Sequence, residues 1–251
     1  MRRLGRLPHS PEAVAAAPSL RYAAEAPPPP TLDRTGIAYQ PILANNDSLP
    51  TCTVAALLNA ALAIEALQGA GGLAIKDGCW LPFYAALAGC APTPEVIAGT
   101  DGLVLLDVLR RQGTRGFDIG AVAPLTGDFG TVPLEINSLA SCAAGLGGVY
   151  VGLDLYQSDM DAVDVGRPWA ANGMGAVGPL VGGHCVWLWS YEGLQPDSMI
   201  QIATWGALQQ ASWAWLLPRL QEAYGLLLPG IEGPDVDLAA LKVANARWLA
   251  T

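Results

Sequence analysis

The stretch Asn45-Asn46-Asp47-Ser48-Leu49-Pro50-Thr51-Cys52-Thr53-Val54-Ala55-Ala56 places a cysteine at the start of an apolar helix, and Gly182-Gly183-His184-Cys185-Val186-Trp187 places a histidine at the start of an apolar strand. Beyond Cys52, the residues Val54, Leu57, Leu58, Ala61, Leu62, Ile64 and Leu67 leave almost no polar face before Gly69, Gly71 and Gly72 stop the run, so a buried central helix is predicted. A thiol attacks a carbonyl only as thiolate. The unsatisfied N–H groups of a helix amino end, together with a neighbouring imidazolium, lower its pKa from about 8.5. The chain has two histidines, and His9 lies in a Pro- and Ala-rich leader, which leaves His184 as the imidazole base. Asn46, six positions before Cys52, is the side-chain amide that would donate to an oxyanion beside the N–H of Cys52.

Outward from these segments the chain changes character. Residues 1–44, which include Pro27-Pro28-Pro29-Pro30, read as an extended arm wrapping the body. Helices are predicted around 76–87, over 103–109 behind the cap Thr100-Asp101-Gly102, and over 134–144. Strands are predicted over 149–155, 184–191 and Met199–Thr204. The run 212–228 has helical apolar spacing despite Pro218, and 235–249 reads as a last helix. Helices first and antiparallel strands afterwards make an α+β chain of two lobes. The helical lobe spans about 45–145, the β lobe about 146–228, and 229–251 is a C-terminal helical extension.

Composition narrows the function classes. A net charge of −9 argues against binding nucleic acid, whose affinity comes from clustered Lys and Arg. Five cysteines without a C-x-x-C pair, and one internal histidine, do not make a tetrahedral metal site, and no cofactor is expected. Neither a secretory signal nor a membrane span of about 18 apolar residues is legible, so a cytoplasmic or virion-associated location is expected, with no membrane partner. Cys185 alternates to the face opposite His184 and reads as core. Trp187 and Trp189 share the Cys185 face; they fill the core if covered, whereas exposed tryptophans, with the arm, would offer a homo-oligomeric contact.

Taken in order, Asn46, Cys52, Gly183-His184 and Trp205-Gly206 resemble the papain superfamily of cysteine peptidases over roughly residues 40–225. That family has an amide before the cysteine, a helix after it, a Gly-His pair opening a strand, and a later strand ending in Asn-x-Trp-Gly. The resemblance implies a papain-like fold and a peptide or protein substrate. Cys52 would then be nucleophile, His184 base, Asn46 oxyanion donor, and Trp205 a shield for the site. The chain further resembles a phage, prophage and bacterial subgroup through Leu4-Gly5-Arg6-Leu7-Pro8, Thr100-Asp101-Gly102, Gly147-Gly148-Val149-Tyr150-Val151-Gly152 and Thr204-Trp205-Gly206. Two departures stand out. Thr53 follows Cys52 where an aromatic residue is usual, and Ala203 occupies the position of the asparagine that orients the histidine. Alternation along the strand makes Gln201 a candidate substitute, with a water or a backbone carbonyl as the alternatives, and turns Thr204 away. The alternative reading is therefore an inactive papain-fold structural or binding component of a phage virion, in contact with other virion proteins. A transglutaminase-like acyl transferase is a weaker third.

Overall fold

The structure, a computed structural model, describes residues 2–20, 27–69, 75, 80–89, 99–111, 125, 127–170, 178–228, 239, 241 and 243. From the amino end the elements are β1 (Arg6–Leu7), α1 (Pro11–Ala16), α2 (Cys52–Gln68), α3 (Leu81–Ala88), β2 (Thr100–Asp101) and α4 (Gly102–Arg111). There follow β3 (Asp128–Thr131), α5 (Ile136–Gly145), β4 (Val149–Tyr156), α6 (Gln157–Asp164), β5 (Leu180–Tyr191), β6 (Met199–Thr204), β7 (Ala207–Ser212), α7 (Trp213–Leu216) and β8 (Leu220–Leu227).

Helix α2 is buried from Cys52 through Ala61 and again at Ala63 and Ile64, as an apolar run without a polar face requires. It stops where Gly69 enters the left-handed region at φ 65°, returning its N–H to the carbonyls of Ala66 and Glu65. Under it lies a sheet of order β2-β1-β5-β4-β8-β3, with β6 and then β7 added beside β5. Strand β5 is the hub: it pairs with β4 along its length, with β1 at Gly183, and with β6 from Trp187 to Tyr191.

Both faces of the sheet are covered. On one, Cys185, Trp187, Trp189, Ala203, Tyr224 and Leu226 pack with α2 and with Trp80, Phe83 and Leu106. On the other, Val186, Leu188 and Ile202 pack with Leu139, Met160 and Trp213. No described tryptophan is exposed, so these rings fill the core instead of marking an outer interface. Among the described residues no helix is long and apolar enough to cross a membrane.

One predicted helix is overturned. The run 212–228 is a single turn, α7, followed by a 3-10 turn at Leu217–Arg219 and then β8. Pro218 cannot continue an α-helix. Strand β8 lies between β4 and β3 with both faces covered, so its sequence lacks the alternation that marks a half-exposed strand. The predicted strands at 149–155, 184–191 and Met199–Thr204 are present as β4, β5 and β6, and the helices at 103–109 and 134–144 as α4 and α5. The helix expected over 235–249 lies outside the described residues except at 239, 241 and 243, which are helical.

The leader runs over the body. Ser19 bridges to Thr131 and Leu32 to Tyr191. The buried guanidinium of Arg34 donates to the carbonyls of Ala143, Gly147 and Trp189 and lies over the Trp189 ring.

Candidate active site

Cys52 is the first residue of α2, where the backbone N–H groups of the opening turn have no intrahelical acceptor. Tyr150 and Tyr84 fasten this helix start by donating to the carbonyls of Thr53 and Pro50. The hydroxyl of Thr53 bonds that of Thr100 on β2, so the small residue after the cysteine ties the helix to the opposite rim of the site.

The structure brings Cys52 against both His184 and Cys185. Burial pushes the Cys52 thiol up, but the adjacent Cys185 and His184 side chains and the charge of the imidazole pull it further down, and its pKa lies well below the ordinary thiol value. Cys185 moves the other way, raised by burial and by the Cys52 thiolate beside it. The two directions mark Cys52 as the more acidic sulfur of the pair. Cys185 faces the core with Trp187 and Trp189, as expected, yet it also touches the reactive sulfur.

His184 is held from two sides. Its Nε2 lies 2.7 Å from Oγ1 of Thr204. Its ring stacks on Trp205 with centroids 4.4 Å apart and planes 17° from parallel. Nδ1 is buried and makes no hydrogen bond, and with Nε2 engaged by Thr204 it is the nitrogen left to serve the sulfur. Trp205 adopts a left-handed backbone, φ 45°, and Gly206 follows at φ 77°, which turns the indole back over the histidine. Trp169 meets the Trp205 ring edge-on and itself stacks on Trp215. Below them Asp159 accepts from Arg219 and from Nε1 of Trp215, anchoring the aromatic stack in the core.

No protein-family profile matches the sequence, and neither does any curated protein. Solved structures do. Xylellain, a cysteine protease from Xylella fastidiosa, is 16% identical at a TM-score of 0.54, over 91% of this chain and 97% of its own. Digestive procathepsin L 3 of Tenebrio molitor larval midgut is 13% identical at 0.58, over 90% and 76%. Procathepsin B S9 from Trypanosoma congolense is 11% identical at 0.55, over 90% and 87%. The chain has the papain-like fold.

Within that papain-like frame the expected orienting residue is corrected. Gln201 accepts from the hydroxyl of Ser190, away from the histidine. Ala203 pairs with Trp187 on the α2 side of the sheet. His184 is an odd number of residues before Trp187 and so belongs to the opposite parity, which on β6 is that of Ile202 and Thr204. Thr204 is thus the β6 side chain that meets the imidazole.

Asn46 is buried, and its amide donates to the carbonyls of Leu49 and Arg3, at 3.2 and 3.3 Å. Arg3 belongs to the leader, which runs through the site. Arg2 lies over the Trp205 ring and pairs with Asp164, Thr100 donates to the Gly5 carbonyl, and Arg6 lies between Thr100 and Gly183 as strand β1. Cys52 and His184 are both 0% exposed beneath it. Among the described residues no group of three or more His, Cys, Asp or Glu is arranged to hold a metal ion.

Proposed function

We propose that this papain-like chain is a thiol hydrolase acting on a peptide or related amide. The observation that carries this reading is Cys52, at the amino end of α2, set beside an imidazole whose far nitrogen is bonded to Thr204. In the proposed cycle the Cys52 sulfur adds to the carbonyl carbon, and the N–H of Cys52 with the amide of Asn46 receives the oxyanion. His184 gives its proton to the leaving nitrogen as the C–N bond breaks, then takes a proton from the water that hydrolyses the thioester. Trp205 keeps water from the histidine.

A second reading is favoured by the coverage of both groups. A chain whose nucleophile and base are sealed by its own leader is also suited to be a scaffold. The likeness of Leu4-Gly5-Arg6-Leu7-Pro8 and Thr204-Trp205-Gly206 to a phage and prophage subgroup makes a virion component the form such a scaffold would take. A thiol-directed peptide analogue separates the two. Mass spectrometry is expected to find the adduct on Cys52, abolished by His184→Ala. An adduct confined to other cysteines in folded Gly5→Val protein, whose new side chain has no room beside Pro50 and so displaces the leader, would sink the hydrolase reading and leave the scaffold.

A further inference from the structure

Cys185 stands where a reactive sulfur can be answered by a second one. A buried cysteine ordinarily packs as a small apolar side chain, and Cys185 does share the core with Trp187, Trp189 and Ala203. It differs from such a residue in what else it touches, since its backbone and its side chain both reach the sulfur of Cys52. Consecutive strand residues point to opposite faces. For His184 and Cys185 both to meet one sulfur, that sulfur must lie against the β5 backbone between them, with the imidazole on one side and the second thiol on the other.

Both sulfurs are carried by regular elements that are held in place. Cys52 opens α2, whose first turn is fastened by Tyr150 and Tyr84 at the carbonyls of Thr53 and Pro50. Cys185 lies in the middle of the β4–β5 ladder, opposite Gly152, and Tyr150 borders its sulfur as well. Of the described cysteines only these two meet: Cys142 packs on the other face of the sheet, its sulfur 3.7 Å from the Gly148 carbonyl oxygen. All three are free thiols. Their acidities assign different parts to the pair, with Cys52 below the ordinary thiol range and Cys185, raised chiefly by burial, above it. The first is ready to react as thiolate, and the second keeps its proton until it is called on.

We propose that Cys185 is a resolving thiol, which captures an oxidised Cys52 as an internal disulfide that reducing thiols reopen. The oxidant is a hydroperoxide, of which hydrogen peroxide is the simplest. The Cys52 sulfur attacks one peroxide oxygen and the O–O bond breaks. Sulfur is oxidised to sulfenic acid, while the other oxygen leaves as hydroxide and takes a proton from His184 to become water. The Cys185 sulfur then attacks the Cys52 sulfur, the S–O bond breaks, and the Cys185 proton passes by way of the now neutral His184 to the departing hydroxide. Two thiols and one hydrogen peroxide thus become one disulfide and two waters. Contact gives Cys185 an effective concentration that no dissolved thiol matches, so capture precedes further oxidation to sulfinic acid, which thiols do not reverse. The disulfide itself is independent of the hydrolase reading. That it switches off peptide cleavage rests on that reading, because the link occupies the nucleophile.

The test exposes the full reduced chain to a small molar excess of hydrogen peroxide and maps it by mass spectrometry after digestion without reductant. Peptides joined through Cys52 and Cys185 are expected, and dithiothreitol should restore both thiols. In Cys185→Ala the same exposure is expected to leave Cys52 as sulfenic acid that dimedone traps, and then as sulfinic acid, so that the share of Cys52 restored by dithiothreitol is lower by roughly tenfold or more. Cys185→Ser makes the same comparison should the alanine variant fail to fold, and Cys142→Ala is expected to behave like the parent. Links confined to other cysteine pairs, or equal recovery of Cys52 with and without the second thiol, would overturn the proposal. A folded parent chain whose Cys52 goes only to sulfinic acid, or is not oxidised at all, would overturn it too. Cleavage of a quenched peptide by the Gly5→Val chain is followed through the same oxidation and reduction. Loss of cleavage on linking and its return with dithiothreitol support both readings. A mapped link in a chain that never cleaves keeps the disulfide and removes the hydrolase, whereas undiminished cleavage by the linked chain removes Cys52 as nucleophile and the switch with it.

Discussion

Oγ1 of Thr204 lies 2.7 Å from Nε2 of His184, and both residues are buried, so neither polar atom would find water if the other were removed. Leaving the imidazole nitrogen unsatisfied costs about 1–3 kcal/mol. Thr204→Val, which keeps the shape and deletes the hydroxyl, is expected to lower kcat for peptide cleavage by the Gly5→Val chain about 5- to 150-fold with little change in KM. It should also raise the pH midpoint for alkylation of Cys52, and Thr204→Ser should restore both. An unaltered kcat and pH profile in Thr204→Val would show that the hydroxyl does not position the ring.

The reasons why Thr204 escaped the sequence reading are geometric. Cys52 and its helix were legible because an apolar run without a polar face can only be interior, and His184 because one imidazole remained once the leader was set aside. Which strand residue meets that imidazole depends on register, and register between β5 and β6 is decided by how Trp187 and Ala203 pack beneath α2. Strand β8 was read as helix for the complementary reason: buried on both faces between β4 and β3, it carries no alternation. His9, placed in the leader by sequence, meets Asp101 and Glu222 across the fold, and no local pattern announces a contact between residues so far apart in the chain.

The acidity of Cys52 gives a pH dependence of known sign. Burial alone would raise its pKa, but the adjacent Cys185 and His184 side chains and the imidazole charge reverse the shift. The thiolate is therefore retained to lower pH than in an ordinary thiol of pKa about 8.5, whose reactivity falls roughly tenfold per unit below that value. In the Gly5→Val chain, alkylation of Cys52 is expected to fall off at a lower pH than that of an ordinary thiol. Cys185→Ala and His184→Ala should each move the fall-off to higher pH. A profile that follows a free thiol in the parent site would contradict the ion pair.

Trp205 joins the site to the core, stacking on His184 and meeting Trp169 edge-on. Aromatic pairs of this kind contribute about 0.5–1.5 kcal/mol each beyond the area they bury. Trp205→Ala is expected to destabilise the chain by ~2 kcal/mol, visible as a lower Tm, and to speed Cys52 alkylation by uncovering the imidazole. Trp205→Phe should recover most of the stability. If the alanine variant melted like the parent, the stack would have no hold on the histidine.

Glu222 supplies a further pH signature because burial raises its pKa from 4.5 to about 7, against the pull of His9, Arg6 and Tyr224 and with a small push from Asp101. A carboxyl whose pKa is raised by folding favours the folded chain in its protonated form. Its contribution is complete below 4.5, the ordinary value, and is lost as pH rises through about 7. Glu222→Gln is a neutral side chain of the same shape that does not titrate, although it forgoes the ionic contacts with Arg6 and His9 at every pH. The stability of the glutamine variant relative to the parent is therefore expected to improve between pH 4.5 and 7, by on the order of 3 kcal/mol at most, and to level off above that range. Denaturant melts of both chains at a series of pH values measure the difference directly. A variant whose stability relative to the parent stayed constant or fell across this range would mean that Glu222 is already ionised at the lower pH, held so by Arg6 and His9 of the leader, and that their attraction outweighs the cost of burying the charge.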